Sequence, residues 1–92
     1  MSETVNDDFL SSIHADDEFW SALLADEEFW NKVLSVPGDE QVRLMFRRYK
    51  DAHQPEPEEI MIIRAQELAT VAELVERVGL GEARELLRKK PH

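Results

Sequence analysis

Three histidines are the side chains of this sequence best suited to bind a metal ion or transfer a proton: His14, His53 and His92. None has a second histidine three or four positions away, the spacing that places two ligands on one face of a helix. The sequence has no cysteine and no glycine-rich phosphate loop. Its carboxylates lie in acid-rich stretches, without the apolar setting that would shift a pKa for acid–base catalysis. We therefore predict a protein that is not an enzyme and holds no metal ion or cofactor.

The more informative residues form an internal repeat of ten residues near the N-terminus. Residues 6–15, 16–25 and 26–35 each open with three acidic or amide side chains and continue with a phenylalanine, followed by leucine in the first unit and tryptophan in the other two. Trp and Phe are enriched among the anchors of protein interfaces, and surrounding acids select a partner with a basic surface. We predict these partner-binding residues, with the rings as anchors and the acids as selecting charges: Phe19, Trp20, Phe29, Trp30, Asp16, Asp17, Glu18, Asp26, Glu27 and Glu28.

The Phe-Trp pairs have a second interpretation as core residues, because large aromatic side chains dominate the cores of small proteins. Docking is favoured by the recurrence of the acid-Phe-Trp unit, since packing alone does not require it to repeat. A stacking platform for nucleic acid matches poorly, because such platforms place Arg and Lys between their rings, whereas these units place Asp and Glu there.

The period of the repeat predicts short helices. Ten residues of α-helix turn by about 1000°, about 80° short of three whole turns, so one straight helix would spiral its aromatic residues around the axis. Acids and amides also suit the starts of helices, where they cap free N–H groups and face the positive end of the dipole. We predict an acidic, aromatic helical arm over residues 5–36, broken or bent near Ala25 and Asp26. A continuous helix over residues 16–35 is the alternative.

The next predicted helix, over residues 39–53, is amphipathic and the most basic segment of the chain. Asp39 is its expected N-cap. Its bases either face solvent or pair with the acidic arm. Its apolar stripe at helical spacing consists of Val42, Met45, Phe46 and Tyr49. Its bases are Arg43, Arg47, Arg48 and Lys50.

Residues 57–90 are predicted to contain a long central helix and a short C-terminal helix, separated by Gly79-Leu80-Gly81. The long helix opens at Pro57, and its broad apolar stripe indicates contacts on two sides or, alternatively, a homodimer. That stripe consists of Ile60, Met61, Ile63, Ala65, Leu68, Val71, Ala72, Val75 and Val78.

The glycine turn has the outline of two DNA-binding motifs, a helix-turn-helix over residues 70–87 and the turn of a helix-hairpin-helix. The final helix, however, carries Glu82 and Glu85 where a recognition helix would face phosphates. A plain turn between two helices explains the glycines equally well.

Charge is distributed unevenly along the chain, whose formal net charge is −9. Residues 1–40 carry eleven acids and one base, whereas residues 41–92 carry nine acids and ten bases. An acidic half argues against direct binding to the phosphates of nucleic acids. It suits a basic protein partner, mimicry of nucleic acid, or solubility alone.

These patterns together predict an all-α single domain over residues 1–92, a small bundle of four to five helices that includes the acidic aromatic arm. The longest apolar run is too short to span a bilayer and the N-terminus is acidic, so we expect a soluble, cytoplasmic protein without a signal peptide. The expected function is non-catalytic protein–protein interaction, as an adaptor, accessory or regulatory factor. The alternatives are an inhibitor that mimics nucleic acid and a weak DNA-binding module of helix-turn-helix type.

Overall fold

A computed structural model describes residues 7–89, which form six α-helices and no strand. The predicted all-α class is therefore confirmed. The predicted ends at residues 5 and 90, together with Asn6 and His92, lie outside the described residues. In chain order the helices are α1 (Asp7–Ala15), α2 (Asp17–Ala25), α3 (Glu27–Leu34), α4 (Gly38–Ala52), α5 (Glu58–Val78) and α6 (Leu80–Arg88).

The three ten-residue units form three separate helices, and for this reason the predicted count of four to five helices is wrong. Asp16 and Asp26, the first residues of the second and third units, leave the helical conformation, with φ and ψ of −122° and 47° and of −89° and 87°. The predicted break at Ala25 and Asp26 is confirmed. The break at Asp16 is its equivalent one unit earlier, so each described junction between units is a helix start.

All six helices contribute buried side chains to one apolar core. The central helix α5 packs against α4 and against α6, which confirms the prediction that it is contacted on two sides. The radius of gyration is 12.6 Å, close to the value of about 12 Å expected for a compact chain of this length. The largest fully buried side chains come from four helices: Trp30, Leu23, Met45, Leu68, Val33, Val71 and Val75.

Helix α4 begins one residue earlier than predicted. Pro37, and not Asp39, occupies the N-cap position, with extended φ and ψ of −62° and 159°. Asp39 lies in the first turn instead, where its charge faces the positive end of the helix dipole. Met45 and Tyr49 of the predicted apolar stripe are buried, and Gln41 is buried on the same helix.

The N-terminal part of α5 carries more apolar surface than its neighbours cover. Ile62 and Ile63 are 53% and 48% exposed, so Ile63, a member of the predicted apolar stripe, is not covered by the neighbouring helices. At about 100° per residue, Ile62 and Ile63 point about 120° and 140° away from the buried Leu68, on the other side of the helix. Among residues 7–89 no helix combines the length and apolarity needed to cross a membrane.

Gly79 turns the chain between α5 and α6. Its φ of 89° lies in the region that glycine adopts readily and other residues rarely do. Its N–H donates to the Val75 carbonyl at 2.8 Å, and its own carbonyl accepts from the Ala83 N–H at 3.0 Å. One residue therefore ends the first helix and starts the second.

Candidate functional site

Asp26 and Phe29, both in the third unit, hold the guanidinium of Arg48 on α4. Asp26 is the N-cap of α3, where its Oδ1 accepts from the Phe29 backbone N–H at 3.1 Å. Its Oδ2 accepts from Arg48 Nη1 at 2.8 Å. The Phe29 ring centre lies 4.8 Å from Arg48 Cζ, within cation–π distance. The Arg48 hydrogen bond, and next the Phe29 N–H, lower the pKa of the Asp26 carboxyl below its ordinary value.

Asp16 and Phe19 hold His53 in the equivalent way, one unit earlier. Asp16 Oδ2 lies 2.8 Å from His53 Nε2, and the Phe19 ring meets the imidazole edge-on at 5.1 Å. On the other side the imidazole stacks on the Tyr49 ring at 3.9 Å, and its Nδ1 lies 2.8 Å from the Tyr49 carbonyl oxygen. The imidazole is therefore held from both sides, by Asp16 and Phe19 of the second unit and by Tyr49 of α4.

The ion pair of Arg48 with Asp26 is the predicted alternative in which a base of α4 pairs with the acidic arm. The shared use of an acid and a phenylalanine in both contacts was not predicted. In the second and third units the first acid and the phenylalanine three residues later hold one basic side chain, Arg48 within α4 or His53 at its C-cap. The second unit meets His53 and the third meets Arg48, so the units advance along α4 in the direction opposite to its own chain. The sequence contains a signal for these contacts. The second and third units each have an Asp and a Phe three residues apart, and the bases that they contact are five residues apart.

Both tryptophans belong to the core of the fold. Trp20 is 4% exposed and Trp30 is 1% exposed, and Phe19 is also buried. Trp30 Nε1 donates to the Leu23 carbonyl at 2.9 Å, which occupies one of the last carbonyls of α2. Burial favours the core interpretation for these three rings. Of the four predicted anchors, the half-buried Phe29 has the most surface in reach of a partner.

The six predicted acids divide into two groups. Asp16 and Asp26 are half-buried and engaged with α4. The second and third acids of each unit are exposed: Asp17, Glu18, Glu27 and Glu28. The predicted role in partner selection therefore falls on these four carboxylates, which lie in the first turns of α2 and α3.

A groove of about 370 Å³ lies between α1 and α2 on one side and α6 on the other. Asp17 lines it from α2, and Arg84 and Arg88 line it from α6. Arg84 Nε donates to the Leu24 carbonyl at 2.5 Å, which attaches α6 to the end of α2. This groove could not be predicted from the sequence, because the two walls of the groove are about sixty residues apart in the chain. Its apolar lining consists of Ile13, Trp20, Leu24 and Leu87.

A second cavity, of about 230 Å³, lies at the C-terminal end of α4 beside Phe46, Lys50 and Met61. Tyr49 also lines it, and its hydroxyl donates to Glu56 Oε1 at 2.5 Å. Burial, and next the hydrogen bond to Glu56, raise the pKa of Tyr49 to about 12. This tyrosine is therefore held in its neutral form as a hydrogen-bond donor.

The remaining chemical candidates show no assembled site within residues 7–89. No group of three or more His, Asp or Glu side chains in this part of the chain could hold a metal ion. His14 Nε2 lies 2.9 Å from the Lys89 carbonyl, so His14 connects α1 with the chain that leaves α6. Glu82 and Glu85 are exposed on α6, and the DNA-binding alternative stays a prediction.

Comparison with known proteins supplies no relative. No family model, curated protein or solved structure matches this chain. Its function is therefore argued from two features of its own surface, the exposed acids of the repeat and the groove between α2 and α6.

Proposed function

We propose that this chain is a non-catalytic protein-binding module, an adaptor, accessory or regulatory factor, that recognises a basic protein surface through its repeat. The observation that carries the proposal is the exposure of Asp17, Glu18, Glu27 and Glu28 at the same positions of two consecutive units. The first acid of the second and third units contacts His53 or Arg48, whereas these four are exposed. Their charges are available to steer and select a partner.

Phe29 adds an apolar element beside two of these acids. It is half-buried, directly follows Glu28, and has Arg48 over its ring. A partner that approaches the start of α3 meets two carboxylates and the uncovered edge of one ring. Aromatic anchors surrounded by charge are typical of interface hot spots, so we place the centre of the docking surface at Glu27, Glu28 and Phe29.

The proposal is tested by capture of partners on charge-neutral variants of the full chain. The test variant is Glu27→Gln with Glu28→Gln, in the first turn of α3. The matched control is Glu58→Gln with Glu59→Gln, two exposed acids in the first turn of α5. Both variants remove two charges at a helix N-terminus, so they share the same small loss of dipole stabilisation.

We expect a basic protein from the source-cell lysate to be retained by the wild type and by the α5 control. We expect at least tenfold less of it on the α3 variant. If the same protein is retained equally on all three baits, or no protein is retained on any of them, the proposal is wrong. Circular dichroism of each bait establishes that the helices are intact.

Mimicry of nucleic acid is the second candidate function, and the exposed acid pairs of successive units favour it. Carboxylates in place of phosphates would bind a DNA- or RNA-binding enzyme through charge alone. Such binding falls steeply between 50 and 500 mM salt, because screening lengths shrink from about 14 Å to about 4 Å over that range. Docking that includes Phe29 falls only modestly, so salt distinguishes the two candidates. A cytoplasmic location and a possible homodimer stay predictions in either case.

A further inference from the structure

The groove between α2 and α6 carries opposite charges on its two walls. Asp17 is exposed on the α2 wall, and Arg84 and Arg88 lie on the α6 wall. The bond from Arg84 Nε to the Leu24 carbonyl fixes that guanidinium in the groove. Arg88 pairs with Glu85 at 3.5 Å, but both side chains are more than two-thirds exposed, so this pair leaves Arg88 available to a ligand.

The space between the walls is apolar. Trp20, Leu24 and Leu87 line it, and each is at most 8% exposed. A volume of about 370 Å³ lies at the lower end of the range of about 300–1,000 Å³ that is typical of ligand sites. The groove is large enough for the few side chains that one face of a short helix presents.

We infer that this groove binds an amphipathic helix of a partner protein, one edge of which is acidic and the other basic. The inference goes beyond the proposed function, because the groove is lined from α1, α2 and α6 and does not include Glu27, Glu28 or Phe29. The acidic edge would face Arg84 and Arg88, and the basic edge would face Asp17. The apolar stripe would lie between them, as in other helix-in-groove complexes. A groove bounded by helices accepts a third helix by the same ridge-and-groove packing that joins the helices of a bundle.

Three synthetic helical peptides of 14 residues serve as defined probes. All three carry the same leucine stripe at positions i, i+3, i+4 and i+7. The mixed peptide has Glu along one edge and Lys along the other, the acidic peptide has Glu along both, and the basic peptide has Lys along both. We expect the wild-type chain to bind the mixed peptide most tightly at 150 mM salt. Amide NMR shifts are expected to centre on Ser21, Leu24 and Leu87, with none at Ile62 or Ile63.

Charge reversal of one wall should switch the preferred peptide. Asp17→Lys makes both walls basic, so we expect the affinity for the acidic peptide relative to the mixed peptide to rise by about threefold or more, the effect of exchanging one exposed ion pair. Glu58→Lys is the matched control, because it reverses the charge of an exposed acid at the first residue of another helix, α5, and this residue does not line the groove. We expect it to leave the order of the peptides unchanged.

Several results would overturn the inference. These are shifts centred elsewhere on the protein, no binding of any peptide at millimolar concentration, or equal effects of Asp17→Lys and Glu58→Lys. A dimer of the chain that Asp17→Lys dissociates would assign the groove to a second copy and overturn it as well. If the lysate partner still depends on Glu27 and Glu28 while the peptides fail to bind, the groove inference is wrong and the proposed function stands.

Discussion

Trp30 offers the sharpest test of whether the aromatic residues of the repeat hold the fold together or bind a partner. It is 1% exposed, and its indole N–H reaches the Leu23 carbonyl at 2.9 Å. Truncation of a buried Trp to Ala costs about 3–5 kcal/mol, because apolar contacts are lost and a cavity remains. A chain of this length has a total stability of about 5–14 kcal/mol, so Trp30→Ala should remove about a fifth of it or more.

The assay is urea unfolding at pH 7, followed by far-UV circular dichroism. Trp30→Phe keeps the experiment interpretable if Trp30→Ala leaves no soluble protein. It retains a ring in the core and loses the bond to Leu23, whose carbonyl still accepts from the Asp26 N–H at 3.3 Å. We expect this variant to lose about 1–2 kcal/mol. Phe29→Ala is the matched control, because this ring is only half-buried and should cost about 1–2 kcal/mol.

The result that would refute this reasoning is a Trp30→Ala protein with full helical content and an unfolding free energy within about 1 kcal/mol of the wild type. Trp30 would then lie outside the core, and the interpretation of this ring as a partner-binding anchor would regain its support.

Three further predictions concern charge and the backbone. Asp26→Asn removes the ion pair with Arg48. Since the pKa of Asp26 is lowered in the fold, its contribution to stability is present above the ordinary pKa of about 3.9. That contribution is lost as the pH falls from there to the lowered pKa of the folded state. Unfolding midpoints at pH 7 and pH 2 should therefore differ less in this variant than in the wild type. The pKa of Tyr49 is raised from about 10 to about 12, so its contribution is present below pH 10 and lost as the pH rises toward 12. Tyr49→Phe should flatten stability over that alkaline range, and a phenolate absorbance titration should place the wild-type transition near the raised value. Gly79→Ala should cost about 1–3 kcal/mol because φ is 89°, whereas Gly81→Ala, within α6 and with open space around it, should stabilise by about 0.5–1 kcal/mol in thermal unfolding.

The helical elements could be predicted from the sequence because their signals are local. The apolar spacing of α4, Pro57 before α5 and the glycines between α5 and α6 all act within a few residues. The break at Ala25 and Asp26 follows from the ten-residue period. The break at Asp16 follows likewise, because short helices that each begin at the acids of a unit are expected to start there.

The site was harder to predict because its parts are distant in the sequence. The Asp and the Phe three residues apart are visible in the second unit, but nothing there indicates which base they will meet, and His53 lies thirty-seven residues after Asp16. From the sequence, the histidines were considered as metal ligands, and none has a second histidine at a suitable spacing. In the fold, His53 instead forms a hydrogen-bonded connection between helices. The groove between Asp17 and Arg84 likewise arises only when α6 folds back onto α2. Exposure of the second and third acids is the one site property that the periodicity alone could have indicated.

Within the repeat, Glu is absent from the first position, whose acids contact the rest of the fold, and occurs only at the positions whose acids are exposed. The first position is Asp16 and Asp26 in the described units and Asn6 in the first unit, all side chains short enough to cap a helix. Glu, which is a poor N-cap, is absent from that position. At the second position Asp17 alternates with Glu27, since an exposed carboxylate at the end of either side chain supplies the same charge. A docking function that depends on charge should therefore tolerate Glu27→Asp and fail with Glu27→Gln. At the first position Asp26→Glu should lower stability, because it preserves the charge and loses the cap geometry.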